Sequence, residues 1–294
     1  MPKGRIIKAL SGFYYVESEE GIVQCRARGN FRNRKITPYV GDWVEYEAEN
    51  DTDGYILAID ERENQLVRPP VANVEQAVLI FSVEDPKFSP VLLDRFLVHV
   101  EANGIEPLIC MSKTDLNHEG IREELAYFED AYTRIGYRVL RTSIYLEETI
   151  EQLKPYLTDR VSVFAGQSGV GKSSLLNILK PGVEIKTDET SKSLGRGKHT
   201  TRHVELIPLN EGGYVADTPG FSSLDFTGIE AIHLGDCFPE FLELSHDCKF
   251  RGCQHINEPK CRVKAAVEEG QVAKERYDHY VEFHEEIEQM KRRY

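Results

Sequence analysis

Apolar and polar residues alternate in short runs through the first part of the chain: Phe13 to Glu17, Gly21 to Arg28, Asp42 to Ala48 and Tyr55 to Asp60, parted by Gly, Asn and Asp. A period of two bounded by turn residues predicts strands with one buried face. Within Gly21 to Arg28, Val23, Cys25 and Ala27 take the inward parity and Gln24, Arg26 and Arg28 the outward one. Residues 1–68 are therefore expected to form a small β-barrel, ending at the Pro69-Pro70 break. From Val74 the pattern changes. Apolar runs at Gln76 to Val83, Pro107 to Met111, Tyr137 to Thr142 and Val161 to Ala165 do not alternate, and helical patterns at Glu119 to Ile135 and Leu146 to Leu157 separate them. Such strands are covered on both faces, as in a parallel α/β sheet. Past Phe226 the pattern is mainly helical. The expected architecture is multidomain: a barrel at 1–68, an α/β domain at 69–226 and a mainly α domain at 227–294.

Composition narrows the function classes. Hydrophobic residues make up 40% and charged residues 29% of 294, and no apolar run reaches the length of a membrane span. The basic start MPKGRIIKAL lacks the apolar stretch of a secretory signal. A cytoplasmic protein without a membrane partner is expected. A net charge of −13 opposes bulk polyanion binding, and DNA is not an expected partner. Cation-rich stretches are local: Arg26, Arg28, Arg32, Arg34 and Lys35 fall in the acid-free Gly21 to Gly41, with Phe31 expected to stack on a base. Lys249, Arg251, Lys260, Arg262 and Lys264 form a second stretch against Glu258. Either alone reads equally as a solvated face. Together, in an acidic chain, they favour a structured RNA touched at separated sites.

The chemistry concentrates in the middle. Gly166-Gln167-Ser168-Gly169-Val170-Gly171-Lys172-Ser173, followed by Ser174, matches GxxxxGK[ST] after an apolar strand. Glycines there let successive backbone N–H groups face phosphate oxygens, Lys172 reaches the β- and γ-phosphates, and Ser173 ligates Mg²⁺. Asp217-Thr218-Pro219-Gly220 follows the strand Gly213 to Ala216 and places a carboxylate where it holds Mg²⁺ through water. Between them, Glu184 to His203 has the composition of a switch segment, whose Thr200 or Thr201 completes the Mg²⁺ shell. Ser112-Lys113-Thr114-Asp115 follows a strand in the manner of NKxD. The Asp115 carboxylate accepts from guanine N1–H and its exocyclic amine, a donor pair adenine lacks, while Lys113 covers the base. Thr142-Ser143, after the next strand, resembles the loop that touches the guanine carbonyl. A solvated loop after a strand is the plainer reading of SKTD alone.

Cys248, Cys253, His255 and Cys261 make C-x4-C-x-H-x5-C. Four S/N ligands so close suit one closed tetrahedral Zn²⁺ of structural type. Cys237 and His246 are near enough in sequence to compete. Cys25 and Cys110 read as small buried residues in strands.

In ordinary small GTPases the guanine-reading motifs come last, and here they come first. A cut elsewhere in the loop order leaves the same spatial site, because the termini of such domains lie close together. In the order SKTD, GQSGVGKSS, GRGKHTT, DTPGF and the Cys/His cluster, the whole chain resembles the bacterial family of circularly permuted GTPases that depend on the small ribosomal subunit. The resemblance implies an OB-fold barrel, a permuted GTPase domain and a C-terminal zinc domain in which Cys237 and His246 are not ligands. It also implies action on the small (30S) subunit and its 16S rRNA late in maturation, with GTP, GDP and Mg²⁺ as ligands. A partner that large suits a monomer. Two departures bear on mechanism: Ser112 replaces Asn, and Phe221 stands where Ras-like enzymes carry the water-orienting Gln. His199, in the switch, is the nearest group able to orient water, and the resemblance implies a switch histidine in that role. A nucleotide-holding RNA switch with incidental hydrolysis is the alternative that Phe221 favours.

Overall fold

The structure, a computed structural model, describes residues 1–29, 31, 36–66, 70–116, 119–182, 204–217 and 224–291. Strands β1 (Lys3–Leu10), β2 (Phe13–Ser18), β3 (Gly21–Ala27), β4 (Trp43–Ala48) and β5 (Gly54–Ile59) form the N-terminal barrel. β1 pairs with β2 and β4, β2 with β3, β3 in parallel with β5, and β5 with β4, so the sheet closes on itself. This five-stranded order is that of an OB fold. Ile6, Val16, Cys25, Val44, Tyr46 and Ile56 fill the interior. On β3, Val23 and Cys25 point inward and Arg26 outward, as the alternation predicts.

Two barrel expectations need correction. β1 was not among the predicted strands. A register shift between Ile6 and Lys8 interrupts its alternation, so Ile6 and Ile7 are both buried. Phe31 is not an exposed stacking ring: it is 8% exposed and packs in the barrel core. Of the basic stretch, Arg28 pairs with Glu47 and the Arg26 guanidinium lies 4.7 Å from the centre of the Phe13 ring. Arg32, Arg34 and Lys35 lie outside the described residues.

A two-stranded link, β6 (Gln65–Leu66) with β7 (Val71–Ala72), leads to the central sheet. There β8 (Gln76–Ser82), β9 (Glu106–Ser112), β10 (Arg138–Arg141), β11 (Val161–Ala165) and β13 (Tyr214–Asp217) run parallel in the order β10-β9-β8-β11-β13. β12 (Val204–Pro208) lies antiparallel to β13 and also pairs with β1, joining Lys8 to Glu205 by an ion pair of 2.8 Å. Among the described residues one 11-stranded sheet thus runs from β10 into the barrel.

The continuous apolar strands have the two-sided cover they predict. Leu79, Phe81, Ile109 and Met111 share a core with α1 (Pro90–Glu101) and α2 (Glu119–Ile135). Their neighbours Val78, Ile80, Leu108 and Cys110 face α3 (Glu147–Leu157) and α4 (Lys172–Leu179) on the other side.

The C-terminal region holds a 3₁₀ turn (Ala231–Cys237), α5 (Pro239–Ser245), α6 (Arg262–Glu268) and α7 (Lys274–Lys291). Tyr280, Phe283 and Ile287 repeat at helical spacing on α7 and bury one stripe with Phe238, Phe241 and Val98 of α1. Each such side chain contributes roughly 1.5–3 kcal/mol. Beneath them lies a buried ionic group. Arg276 pairs with Asp94 of α1 and Glu240 of α5, and Asp94 also accepts from Tyr132 Oη at 2.8 Å and meets His279 Nδ1 at 2.6 Å. No helix among the described residues is long and apolar enough to cross a membrane.

Candidate functional site

Parallel pairing carries the C-terminal ends of β8, β9, β10, β11 and β13 to one edge of the sheet, where open α/β folds bind ligands. The turn after β11 holds the predicted phosphate loop. Gly166 has φ +144°, and a Cβ there would lie 2.1 Å from the Ile80 carbonyl oxygen, so only glycine lets the loop pass so close to β8. Gly171 caps α4 in the left-handed region at φ +101°. The Lys172 ammonium donates to the carbonyls of Gly166 at 2.8 Å and Gln167 at 2.6 Å, which folds it back over the loop. Ser173 and Ser174 begin the helix, whose N-terminal dipole points at the loop.

Beside this loop stand the residues predicted to read guanine. Ser112, at the end of β9, is buried and donates its hydroxyl to the Val170 carbonyl at 2.7 Å. The serine in place of Asn thus retains a bond to the phosphate loop. Lys113, at φ +59°, donates to the Asp85 carbonyl. Thr114 bonds the Thr142 carbonyl through its amide at 3.3 Å and its hydroxyl at 3.2 Å, which fixes the two loops together. Asp115 is exposed, and one of its oxygens accepts from Ser143 Oγ at 2.5 Å.

Of the remaining predicted residues, Asp217 ends β13 at the same sheet edge. Thr218, Gly220, Phe221, His199, Thr200 and Thr201 lie outside the described residues.

The cysteine cluster is fully assembled. Cys248 Sγ lies 3.9 Å from Cys261 Sγ and 3.7 Å from His255 Nδ1, which is 3.3 Å from Cys261 Sγ. All four ligand atoms, Cys253 Sγ included, fall within 4.8 Å of one another. Sulfurs about 2.3 Å from a tetrahedral ion stand about 3.8 Å apart, so the cluster fits one cation. Backbone bonds aim the ligands: the amides of Arg262 and Lys264 donate to Cys248 Sγ and Cys261 Sγ at 3.3 and 3.5 Å. Burial holds His255 below its ordinary range, which keeps the ring neutral and able to ligate. Burial, with the neighbouring thiols, pushes Cys253 up to about 12, so it ligates as a thiolate only where a cation's charge offsets that cost. Cys237 bonds the His233 carbonyl and packs in the apolar core, outside the cluster.

The profile described as RsgA GTPase matches residues 59–227, and that described as RsgA N-terminal domain matches residues 3–56. The chain belongs to the RsgA family. An RsgA chain hydrolyses GTP, and the guanine and phosphate motifs meet at one edge here accordingly. The small ribosomal subunit biogenesis GTPase RsgA of Bacillus cytotoxicus is 60% identical over 294 residues, covering 100% of both chains. The RsgA of Bacillus subtilis strain 168 is 58% identical over 300 residues, also covering 100% of each. Among solved structures, YloQ, a circularly permuted GTPase, matches with TM-score 0.86 and 52% identity over 99% of this chain and 96% of its own. YjeQ from Thermotoga maritima matches with TM-score 0.87 and 38% identity over 97% and 98%.

Ile144, which no sequence motif singled out, lies in the turn that follows Ser143. Its neighbours Ser143, Tyr145 and Leu146 all donate their amides within the turn, to Thr149 Oγ1, Ser143 Oγ and the Ser143 carbonyl. Among the described residues, the Ile144 amide has no protein acceptor. An open backbone amide is a feature that no side-chain motif reveals.

Proposed function

We propose that this RsgA chain uses GTP hydrolysis to time its release from the small ribosomal subunit late in maturation, contacting 16S rRNA through the barrel and the metal-bearing region. The observation that carries this reading is the Ser112–Val170 bond, which seats the base-reading loop against the phosphate loop despite the permuted order. Asp115 reads guanine N1–H and the exocyclic amine, and the free Ile144 amide suits the guanine O6 carbonyl. With nucleotide bound, Lys172 turns from its loop carbonyls to the β- and γ-phosphates. Mg²⁺ would be held by Ser173, by Thr200 or Thr201, and through water by Asp217, and it would neutralise phosphate charge. His199 orients the attacking water. One Zn²⁺ in the Cys248, Cys253, His255 and Cys261 set serves structure. The units 1–68, 69–226 and 227–294 act as barrel, engine and metal-bearing contact of a cytoplasmic monomer.

Permutation gives the cycle a mechanical route. Just past the DTPGF segment, the Leu224 carbonyl accepts from Arg95 of α1 at 3.2 Å, and Arg95 forks to Glu286 of α7 at 3.0 and 2.6 Å. The segment after the switch is thereby tied to the C-terminal helix.

Turnover of GTP measured with and without purified small subunits tests the proposal: stimulation is expected, and equal rates would overturn it in favour of a nucleotide-holding RNA switch, which Phe221 suits. His199→Ala is expected to lower turnover while GTP still binds; unchanged stimulated turnover would remove His199 from the mechanism.

A further inference from the structure

Two sulfurs of the cysteine cluster are aimed from within the ligand loop, by the amides of Arg262 and Lys264. The histidine is held differently. His255 sits at φ +58°, in the left-handed region that L side chains seldom occupy. Its Nδ1 faces the sulfurs of Cys248 and Cys261, and the back of its ring is closed off. A Cβ on Gly235 of the 3₁₀ turn would lie 3.4 Å from the ring's Cδ2 and 3.5 Å from Nε2, and the Phe241 ring meets it edge-on at 5.9 Å. Two tyrosines of α7 reach this residue from outside the loop. Tyr280 Oη donates to the Gln254 carbonyl at 2.5 Å, and Tyr277 Oη to the His255 carbonyl at 2.7 Å. Those carbonyls belong to the two rigid peptide planes that meet at the His255 Cα, so one hydroxyl holds the plane that sets φ and the other the plane that sets ψ. One turn further, His284 Nε2 meets Gln254 Oε1 at 2.7 Å. Spacings of three and four put Tyr277, Tyr280 and His284 on one face of α7, while Arg276 and His279 anchor the same helix to Asp94 of α1.

We propose that Tyr277 and Tyr280 are positioning residues of the metal site: their hydroxyls pin His255 in the left-handed conformation that turns Nδ1 toward the sulfurs, so that part of the cation's affinity is held by a helix outside the ligand loop. This rests on the zinc reading of the cluster above. Groups that orient a ligand from one bond away fix its direction before the ion arrives, and losing them weakens binding about 10- to 100-fold. Without the two hydroxyls His255 relaxes out of the left-handed region, and returning it there is charged against the binding of the ion.

Competition for zinc between the loaded full-length chain and a chromophoric chelator tests it. The double variant Tyr277→Phe with Tyr280→Phe keeps both rings in their packing and removes only the hydroxyls; its zinc affinity is expected to fall about 10- to 100-fold. Ile287→Val trims the apolar stripe of α7 and leaves both hydroxyls in place, and is expected to hold zinc within about twofold of the native chain. Native zinc affinity in the double variant overturns the positioning role. An equal loss in Ile287→Val assigns the effect to general loosening of the helix and overturns it as well. Neither outcome touches the zinc reading, which falls instead if the native chain holds no zinc or if Cys261→Ser holds it as tightly as the native chain.

Discussion

The metal cluster and the nucleotide site are built on opposite plans. The cluster takes its ligands from fourteen consecutive residues, and local bonds position them: amides of Arg262 and Lys264 on two sulfurs, and Glu258 accepting from the amides of Gln254 and Ile256 at 2.8 and 3.0 Å. The predicted nucleotide site draws on residues from Ser112 to Asp217, whose strands share one sheet edge because β9 and β11 both flank β8 and β13 flanks β11. A local site depends on its own ligands and loses its structure with any one of them. A site assembled by a sheet keeps its frame when a functional side chain is removed, and loses chemistry alone.

The sharpest test of that contrast is Cys261→Ser. Loss of a structural cation is expected to cost on the order of 5 kcal/mol or more and to loosen the C-terminal region. Metal content and denaturant unfolding measure it, and native stability after chelation would break the contrast. Next comes the junction between the two plans. Arg276→Met leaves Asp94 and Glu240 as buried carboxylates without their cation and is expected to cost about 3–5 kcal/mol in denaturant unfolding. A loss below about 1 kcal/mol would show that the C-terminal region docks through its apolar stripe alone. On the sheet-built side, Lys172→Ala should slow GTP turnover about 10²–10³-fold with the fold intact by circular dichroism. Unfolding instead would mean that the phosphate loop also carries structure. The smallest effect belongs to Ser112→Ala, which strips the Val170 carbonyl of a buried donor; a loss of about 1–2 kcal/mol in stability and weaker GDP binding are expected. Unchanged GDP affinity would relieve Ser112 of any part in holding the loops together.

What could be read from the sequence follows the same division. The P-loop, SKTD and the C-x4-C-x-H-x5-C set were readable because backbone conformation and ligand spacing are short-range properties. The parallel sheet was readable from runs such as Gln76 to Val83, which need cover on two faces. β1 was hidden by its bulge at Ile6 to Lys8, where two successive side chains turn inward. Phe31 misled for a related reason: an aromatic after a basic strand looks exposed until the barrel closes over it.

Short-range pattern alone carried the candidate chemistry: glycines that allow a phosphate loop, a carboxylate predicted to read guanine, and four ligands suited to one cation. Tertiary structure decided the contacts between distant segments. It set Ser112 on the Val170 carbonyl, left the Ile144 amide open beside Asp115, and tied Leu224 through Arg95 to Glu286. Spacing along a chain constrains neighbours through bond geometry, whereas pairs separated by many residues meet only where sheet order and core packing bring them, and no local pattern records that outcome.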